Sequence, residues 1–232
     1  HLLGRRQRQM CIRDRKNCTR KNMGRRTQEG ETLEQYKQRM IDPISESYCA
    51  AKWYNATIWL GHGQTASCHH PPGHWIPLEE LKDNYTAIHN TKHKKLMRKY
   101  MQEGKRPAEC EYCWKVEDMG KNHVSDRTFK TEIFKDEDIH KSAEMPWDEN
   151  VMLRTLEISF DRACNFSCSY CNPAFSTAWV KDINTYGGYQ NIQSDGRGHF
   201  VDRADWAKPA AKHEEDNPYI QAFHKWLSLI HI

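Results

Sequence analysis

The sequence predicts an α/β fold in which a small cysteine-rich α+β module precedes a strand–loop–helix unit. An aromatic and β-branched segment at 49–60 leads into a Gly-His-Gly turn at 61–63, which predicts a hairpin. A second strand is predicted at 152–160, and a cysteine-rich loop follows it directly. The 232 residues are enough for one large domain or two small ones.

The remaining elements follow from apolar periodicity and from proline and glycine stops. The acidic and lysine-rich segment before residue 150 is expected to be a linker, and the Gly- and Asp-rich segment 186–216 a long loop. Besides segment 49–60, strands are predicted at 64–68 and 152–160. A Cys-x-x-Cys knuckle is expected at 110–115, and helices are predicted at 31–41, 78–81, 91–103, 125–134, 173–183 and 218–229.

Charge is distributed unevenly along the chain. Residues 1–30 carry a balance of +8, while the remainder carries −4. A basic arm can bind nucleic acid, but we expect this one to be a solvated, disordered end and do not expect nucleic acid as a partner. Because the chain lacks a run of 18 apolar residues and an apolar signal segment, we expect a cytoplasmic protein that does not enter a membrane.

Three closely spaced cysteines form the most specific motif. Cys164, Cys168 and Cys171 have C-x3-C-x2-C spacing directly after the strand predicted at 152–160. Thiolates are soft ligands that suit iron–sulfur clusters or zinc. Three of them can hold one face of a four-iron cluster and leave one iron open, as a catalytic site requires. The alternatives are a structural zinc site and a chance spacing.

This motif, with the aromatic Tyr170 before its last cysteine, resembles the radical S-adenosylmethionine superfamily. The resemblance implies a 4Fe–4S cluster whose open iron binds S-adenosylmethionine and cleaves it reductively, which starts hydrogen abstraction from a substrate. It implies a partial (β/α) barrel, of which this chain holds the first strand, loop and helix, and it places Tyr170 beside the adenine. It also implies a reductase or flavodoxin-like electron donor and an unknown substrate, such as a peptide or small metabolite.

A second set of cysteines lies upstream. Cys49 and Gly63 enclose 13 residues, Gly63 and Cys68 enclose four, and Cys110 and Cys113 form the knuckle. Four thiolates can complete a 4Fe–4S cluster or a zinc site. The pattern resembles the auxiliary-cluster module called SPASM and its shorter form, twitch. That resemblance implies a second 4Fe–4S cluster, in a module that usually follows the barrel and here precedes it.

Two other hypotheses account for the cysteines. In the first, the chain is a zinc-binding structural or interaction module without redox chemistry, and His69 or His70 can replace one of the thiolates as a ligand. In the second hypothesis, the cysteines only hold loops together. A colourless chain that binds zinc would favour the zinc-binding hypothesis over an iron–sulfur protein.

We divide the chain into a basic arm and short helix at 1–44, a cysteine-rich twitch-like module at 45–150 and the start of a barrel at 151–232. The segments 9–15 and 227–232 resemble translated sequencing-adapter sequence, so we do not expect native ends. The superfamily's Gly-Gly-Glu type motif does not follow Cys171. We therefore expect a fragment whose C-terminal apolar faces are exposed and which lacks full activity.

Overall fold

In a computed structural model of the chain, the protein has a mixed α/β fold with one small open sheet. The structure describes residues 28–120, 123–161, 163–169, 171–173, 176–188 and 214–230. The α/β class is confirmed, while the barrel stays a prediction. The sheet has the order β3-β2-β1-β4, with strands β1 (Asn55–Trp59), β2 (Gln64–Ala66), β3 (His74–Trp75) and β4 (Thr155–Ser159).

The described residues also form helices, and most predicted helices are confirmed within a few residues. Helix α1 (Leu33–Tyr36) begins with a Thr32 capping box and continues as a π-helical turn over Lys37–Ile41. The others are α2 (Ala51–Tyr54), α3 (Leu78–Leu81), α4 (Lys92–Gln102), α5 (Glu111–Asp118), α6 (Asp126–Glu132), α7 (Asp136–Glu144), α8 (Thr177–Tyr186) and α9 (Pro218–Ile230).

Two predictions of secondary structure are wrong. The segment predicted as a strand at 49–60 begins with α2, because Ala50 and Ala51 favour helix and the β-branched residues come later. The segment predicted as a linker before residue 150 contains α7, whose first turn is acidic and therefore suits a helix N-terminus. The side chain of Ile139 anchors α7 in the core.

The sheet joins the two halves of the chain. Strand β1 pairs antiparallel with β2 and parallel with β4, in a register that runs from Asn55 opposite Thr155 to Trp59 opposite Ser159. The Thr57 hydroxyl also donates to the Glu157 carboxylate across the parallel pair, at 3.2 Å. The segments predicted as a twitch-like module and as the start of a barrel thus share one sheet.

Two hydrophobic cores lie in the described part of the chain. The first surrounds α2 and includes the side chains of Tyr48, Trp53, Trp114, Phe134, Cys49 and Cys113. The second forms where α9 covers the sheet, and it contains Ala56, Ile58, Ile88, Tyr219, Phe223 and Trp226. Ala56 and Ile58 are two residues apart on β1 and therefore point to the same face.

Helix α9 is fixed to the turn between β1 and β2. Asn217 caps the helix by accepting from the Tyr219 amide at 2.8 Å, while its side-chain amide donates to the Leu60 carbonyl at 3.0 Å. The Tyr219 hydroxyl donates to the Ile76 carbonyl at 3.1 Å. The apolar face of α9 therefore packs on the sheet rather than facing solvent.

The expectation of exposed apolar surface is met in part at β4, where Leu156 is 40% exposed.

With 13 residues, α9 is too short to span a bilayer, which takes roughly 20. The other helices in the described ranges likewise lack the length and apolar character of a membrane span.

We predict that Gly63→Ala destabilises the protein by about 2–5 kcal/mol. Gly63 has a φ of +69°, where an alanine costs about 1–2 kcal/mol. Its added Cβ would lie 2.1 Å from a ring carbon of Tyr219, and such overpacking adds about 1–3 kcal/mol. The measurement is the free energy of unfolding in urea.

Gly104→Ala is the matched control for this measurement. Gly104 has a similar φ of +73°, but an added Cβ would meet nothing within 4 Å. It should therefore cost only the backbone share, about 1–2 kcal/mol. Equal losses for the two variants would contradict the packing of Tyr219 on this turn.

Candidate metal centres

Four cysteines that are distant in the sequence line a single cavity. Cys49 precedes α2, Cys68 follows β2, and Cys110 and Cys113 lie at the start of α5. Cys49 and Cys113 are buried in the first core, while Cys68 and Cys110 are half-buried. The structure thus brings together the four residues predicted as the second metal site.

Hydrogen bonds from neighbouring elements hold the segments that carry these thiols. The Asn55 side-chain amide donates to the Ser67 carbonyl at 2.6 Å, which fixes the chain just before Cys68. The Ala50 amide donates to the Thr131 hydroxyl of α6 at 3.1 Å, directly after Cys49. The cavity walls are therefore tied to the sheet and to α6.

Burial keeps these thiols protonated in the metal-free chain. Desolvation, followed by the neighbouring thiols, raises the pKa of Cys49 to about 12. Desolvation likewise raises the pKa of Cys110 to about 11 and raises the pKa values of Cys68 and Cys113. A metal must therefore displace protons from this site in order to bind.

A zinc ion and a four-iron cluster require different separations between their thiolate ligands. The described residues contain one group of three or more ligand atoms that all lie within 4.8 Å of one another, and it holds His69, His70 and Asp126 rather than cysteines. A tetrahedral zinc ion with Zn–S bonds of about 2.3 Å needs sulfur atoms about 3.8 Å apart. A four-iron cluster separates its thiolates more widely, because each binds a different iron.

A buried lysine, Lys52, lines the same cavity. Its ammonium group is paired with the Glu109 carboxylate, whose other oxygen lies 2.6 Å from the His93 ring. Burial acts against the charge of Lys52, but Cys110 and Glu109 outweigh it and raise the pKa of this ammonium. Burial also opposes the charge of Glu109, yet His93 and Lys52 lower the pKa of this carboxyl to about 2.

Arg127 supplies a second cation at the cavity wall. Its guanidinium donates to both oxygens of Glu117 at 2.6 and 2.8 Å and to the Tyr48 carbonyl at 2.7 Å. Lys130 also lines the cavity, one turn further along α6. Four thiolates with a zinc ion or an oxidised 4Fe–4S core carry an excess of negative charge, so buried cations suit a loaded site.

The other three cysteines lie on the loop between β4 and α8. Cys164, Cys168 and Cys171 are all half-buried. The Cys171 amide donates to the Cys168 carbonyl at 2.9 Å, which makes a tight turn inside the motif. The predicted order of strand, cysteine loop and helix is therefore confirmed, while Tyr170 lies outside the described residues.

Side chains at the start of α8 hold this loop. The Thr177 hydroxyl accepts from the Cys164 amide and donates to its carbonyl, both at 3.0 Å. The Trp179 indole donates to the Cys168 carbonyl at 3.1 Å. The backbone of two of the three cysteines is thus fixed by one helix.

The two cysteine sets lie at opposite ends of the sheet. Ser67, next to Cys68, contacts Asn55 at the start of β1, whereas the cysteine loop leaves the carboxyl end of β4. Strand β1 is five residues long, which is about 16 Å at 3.3 Å per residue. The sheet therefore separates two thiol sites and links them rigidly.

All seven described cysteines are free thiols. The hypothesis that the cysteines only hold loops together stays a prediction. The other two, Cys11 and Cys18, lie outside the described residues, as does most of the basic arm.

The sequence prediction missed the charged residues of the cavity. Lys52 offered a signal, because a lysine inside the apolar segment 49–60 has to be buried with a partner. Glu109 and Arg127 offered none, since their roles depend on tertiary contacts.

No family model matches the chain, and neither a curated protein nor a solved structure is similar enough to count as a match.

We predict that the metal-free chain loses stability as the pH rises above about 9. The pKa of Cys49 is raised from 9.0 to about 12 on folding, so the unfolded state loses its protons first. Because the folded state then binds more protons, the free energy of unfolding falls with pH across this window. The measurement is urea unfolding of the metal-free chain at about pH 8 and about pH 10.

Cys49→Ala is the control, since it removes the most strongly raised pKa of the four and should make the fall with pH shallower. The account is contradicted if the free energy of unfolding of the wild-type chain is constant or rises over this window, or if both chains have the same slope.

Proposed function

We propose that this chain carries the cluster-binding part of a radical S-adenosylmethionine enzyme, with an auxiliary 4Fe–4S cluster beside it. The observation that carries the proposal is the loop of Cys164, Cys168 and Cys171 at the carboxyl end of a parallel strand. The carboxyl ends of parallel strands are where α/β enzymes place their chemistry. A four-iron cluster held by these three half-buried thiols would have one iron without a protein ligand.

A 4Fe–4S cluster bound by these thiols would supply the electron that cleaves the sulfonium C–S bond of S-adenosylmethionine. The chain's own residues position and shield that site. Thr177 and Trp179 fix the backbone of Cys164 and Cys168, so the thiols hold their direction when metal binds. Ser176 donates to the Phe166 carbonyl at 2.7 Å and closes the base of the loop.

The cavity of Cys49, Cys68, Cys110 and Cys113 supports a second cluster. Four thiols satisfy all four irons, so this cluster would have no open iron and would serve electron transfer. The buried Lys52 ammonium stabilises added negative charge and therefore favours the reduced form. A single zinc ion is the competing occupant, since four thiolates also complete a structural zinc site.

The proposed partners follow from this chemistry. The chain would need S-adenosylmethionine, a reductase or flavodoxin-like electron donor, and a substrate of the peptide or small-metabolite class. Tyr170 is proposed to lie beside the adenine of S-adenosylmethionine.

We predict that S-adenosylmethionine alters the electron paramagnetic resonance spectrum of only one of two clusters in the reduced, anaerobically reconstituted chain. The affected cluster should be the one with an open iron, on the loop. In Cys168→Ala the change should disappear while the auxiliary signal remains. Cys68→Ala is the matched control, a half-buried cysteine of the other set, and should keep the change.

Two results would count against the proposed function. The first is a wild-type spectrum that S-adenosylmethionine leaves unchanged. The second is a change that survives in Cys168→Ala. A colourless chain that binds zinc after reconstitution would instead support the zinc-binding module.

A further inference from the structure

A third group of ligands lies at the edge of the four-cysteine cavity. His69 and His70 follow Cys68 directly, and Asp126 is the first residue of α6. His70 and Asp126 line the cavity, while the side chain of His69 is 60% exposed. One ligand atom from each residue lies within 4.8 Å of the other two.

We propose that His69, His70 and Asp126 bind a divalent first-row transition-metal ion. Both imidazole Nε2 atoms converge on the same carboxylate oxygen, Asp126 Oδ2, at 3.7 Å from His69 and 2.9 Å from His70. This site has nitrogen and oxygen ligands, so it is chemically distinct from the two thiol sites.

A hydrogen bond accounts for only one of these contacts. The 2.9 Å separation suits a hydrogen bond between His70 and Asp126, but 3.7 Å is too long for His69. Ligand bonds of about 2.0–2.2 Å to a tetrahedral ion place neighbouring ligand atoms roughly 3.3–3.6 Å apart. Small movements of the three side chains therefore bring all of them within reach of one ion.

The neighbouring residues hold the ligands near this geometry. The ring of His70 is stacked on the ring of Tyr112, with centroids 3.9 Å apart and an interplanar angle of 13°. Asp126 is held by the backbone of α6, which Arg127 ties to Glu117 and to Tyr48. Two ligands are thus fixed, and the exposed His69 can close on the ion from the solvent side.

Two imidazoles and one carboxylate define the class of ion. This set suits Zn²⁺, Fe²⁺ and similar ions rather than Ca²⁺ or Mg²⁺, which prefer oxygen ligands only. Because His69 faces solvent, water completes the coordination and the ion stays open to exchange. None of the three proposed ligands is a cysteine.

The test uses the full chain with its cysteine sites already loaded and Co²⁺ as the probe. We expect one additional Co²⁺ per chain, with the weak absorption of nitrogen and oxygen ligation and without thiolate-to-cobalt charge transfer. His69→Ala should weaken binding by at least about tenfold, since even outer-shell partners of a metal contribute 10–100-fold. Its side chain is exposed, so the fold should be unaffected.

Asp126→Asn should also weaken binding, and His140→Ala is the matched control because His140 is an exposed histidine on α7. The proposal is overturned by any of three results: no additional Co²⁺, equal affinity in wild type and His69→Ala, or an absorption band that assigns the ion to thiolates. Each leaves the proposed function intact, because that function rests on the cysteines.

Discussion

Four ionisable thiols line one cavity at the edge of the first hydrophobic core, and the burial of Cys49 and Cys113 constrains the side chains around them. While protonated, a thiol behaves as a small apolar group and is compatible with neighbours such as Trp114. A bound metal removes the protons and leaves negative charge where little water can reach it. Under the proposed function the cavity would therefore have to accommodate two charge states.

A buried cation, Lys52, lies next to these thiols. Lys52 would be costly in a purely apolar core, yet the Glu109 carboxylate favours its charged form, and so does Cys110 once that thiol is ionised. Glu109 in turn contacts His93 at the surface, so the pair is connected to solvent. The ion pair supplies a positive group next to the thiols while limiting the net charge buried in the metal-free chain.

The parallel pairing of β1 with β4 places the second set of thiols relative to the first. One end of β1 contacts the segment that carries Cys68, and the other lies beside the start of the cysteine loop. Helix α9 covers the sheet and is anchored where Tyr219 packs over Gly63. Gly63, which the resemblance to the SPASM pattern singles out by its spacing, is therefore also required by packing.

The grouping of Cys49, Cys68, Cys110 and Cys113 could be predicted from the sequence, since these four residues line one cavity, while their role as metal ligands stays a prediction. Strand β4 and helix α9 could be predicted as well, from β-branched residues and from the start at Asn217-Pro218. Helix α2 could not, because aromatic residues around Trp53 suggest a strand until their packing is known. The contact of Asp126 with the cavity and the pairing of Glu109 with Lys52 could not either, since both depend on tertiary contacts.

The central claim is that the described cysteines form two iron–sulfur sites. Iron and acid-labile sulfide, counted per chain after anaerobic reconstitution, test it most directly. The account predicts about eight irons and about eight sulfides per chain, since each site would hold a four-iron cluster. A chain that binds zinc and retains no sulfide would contradict it.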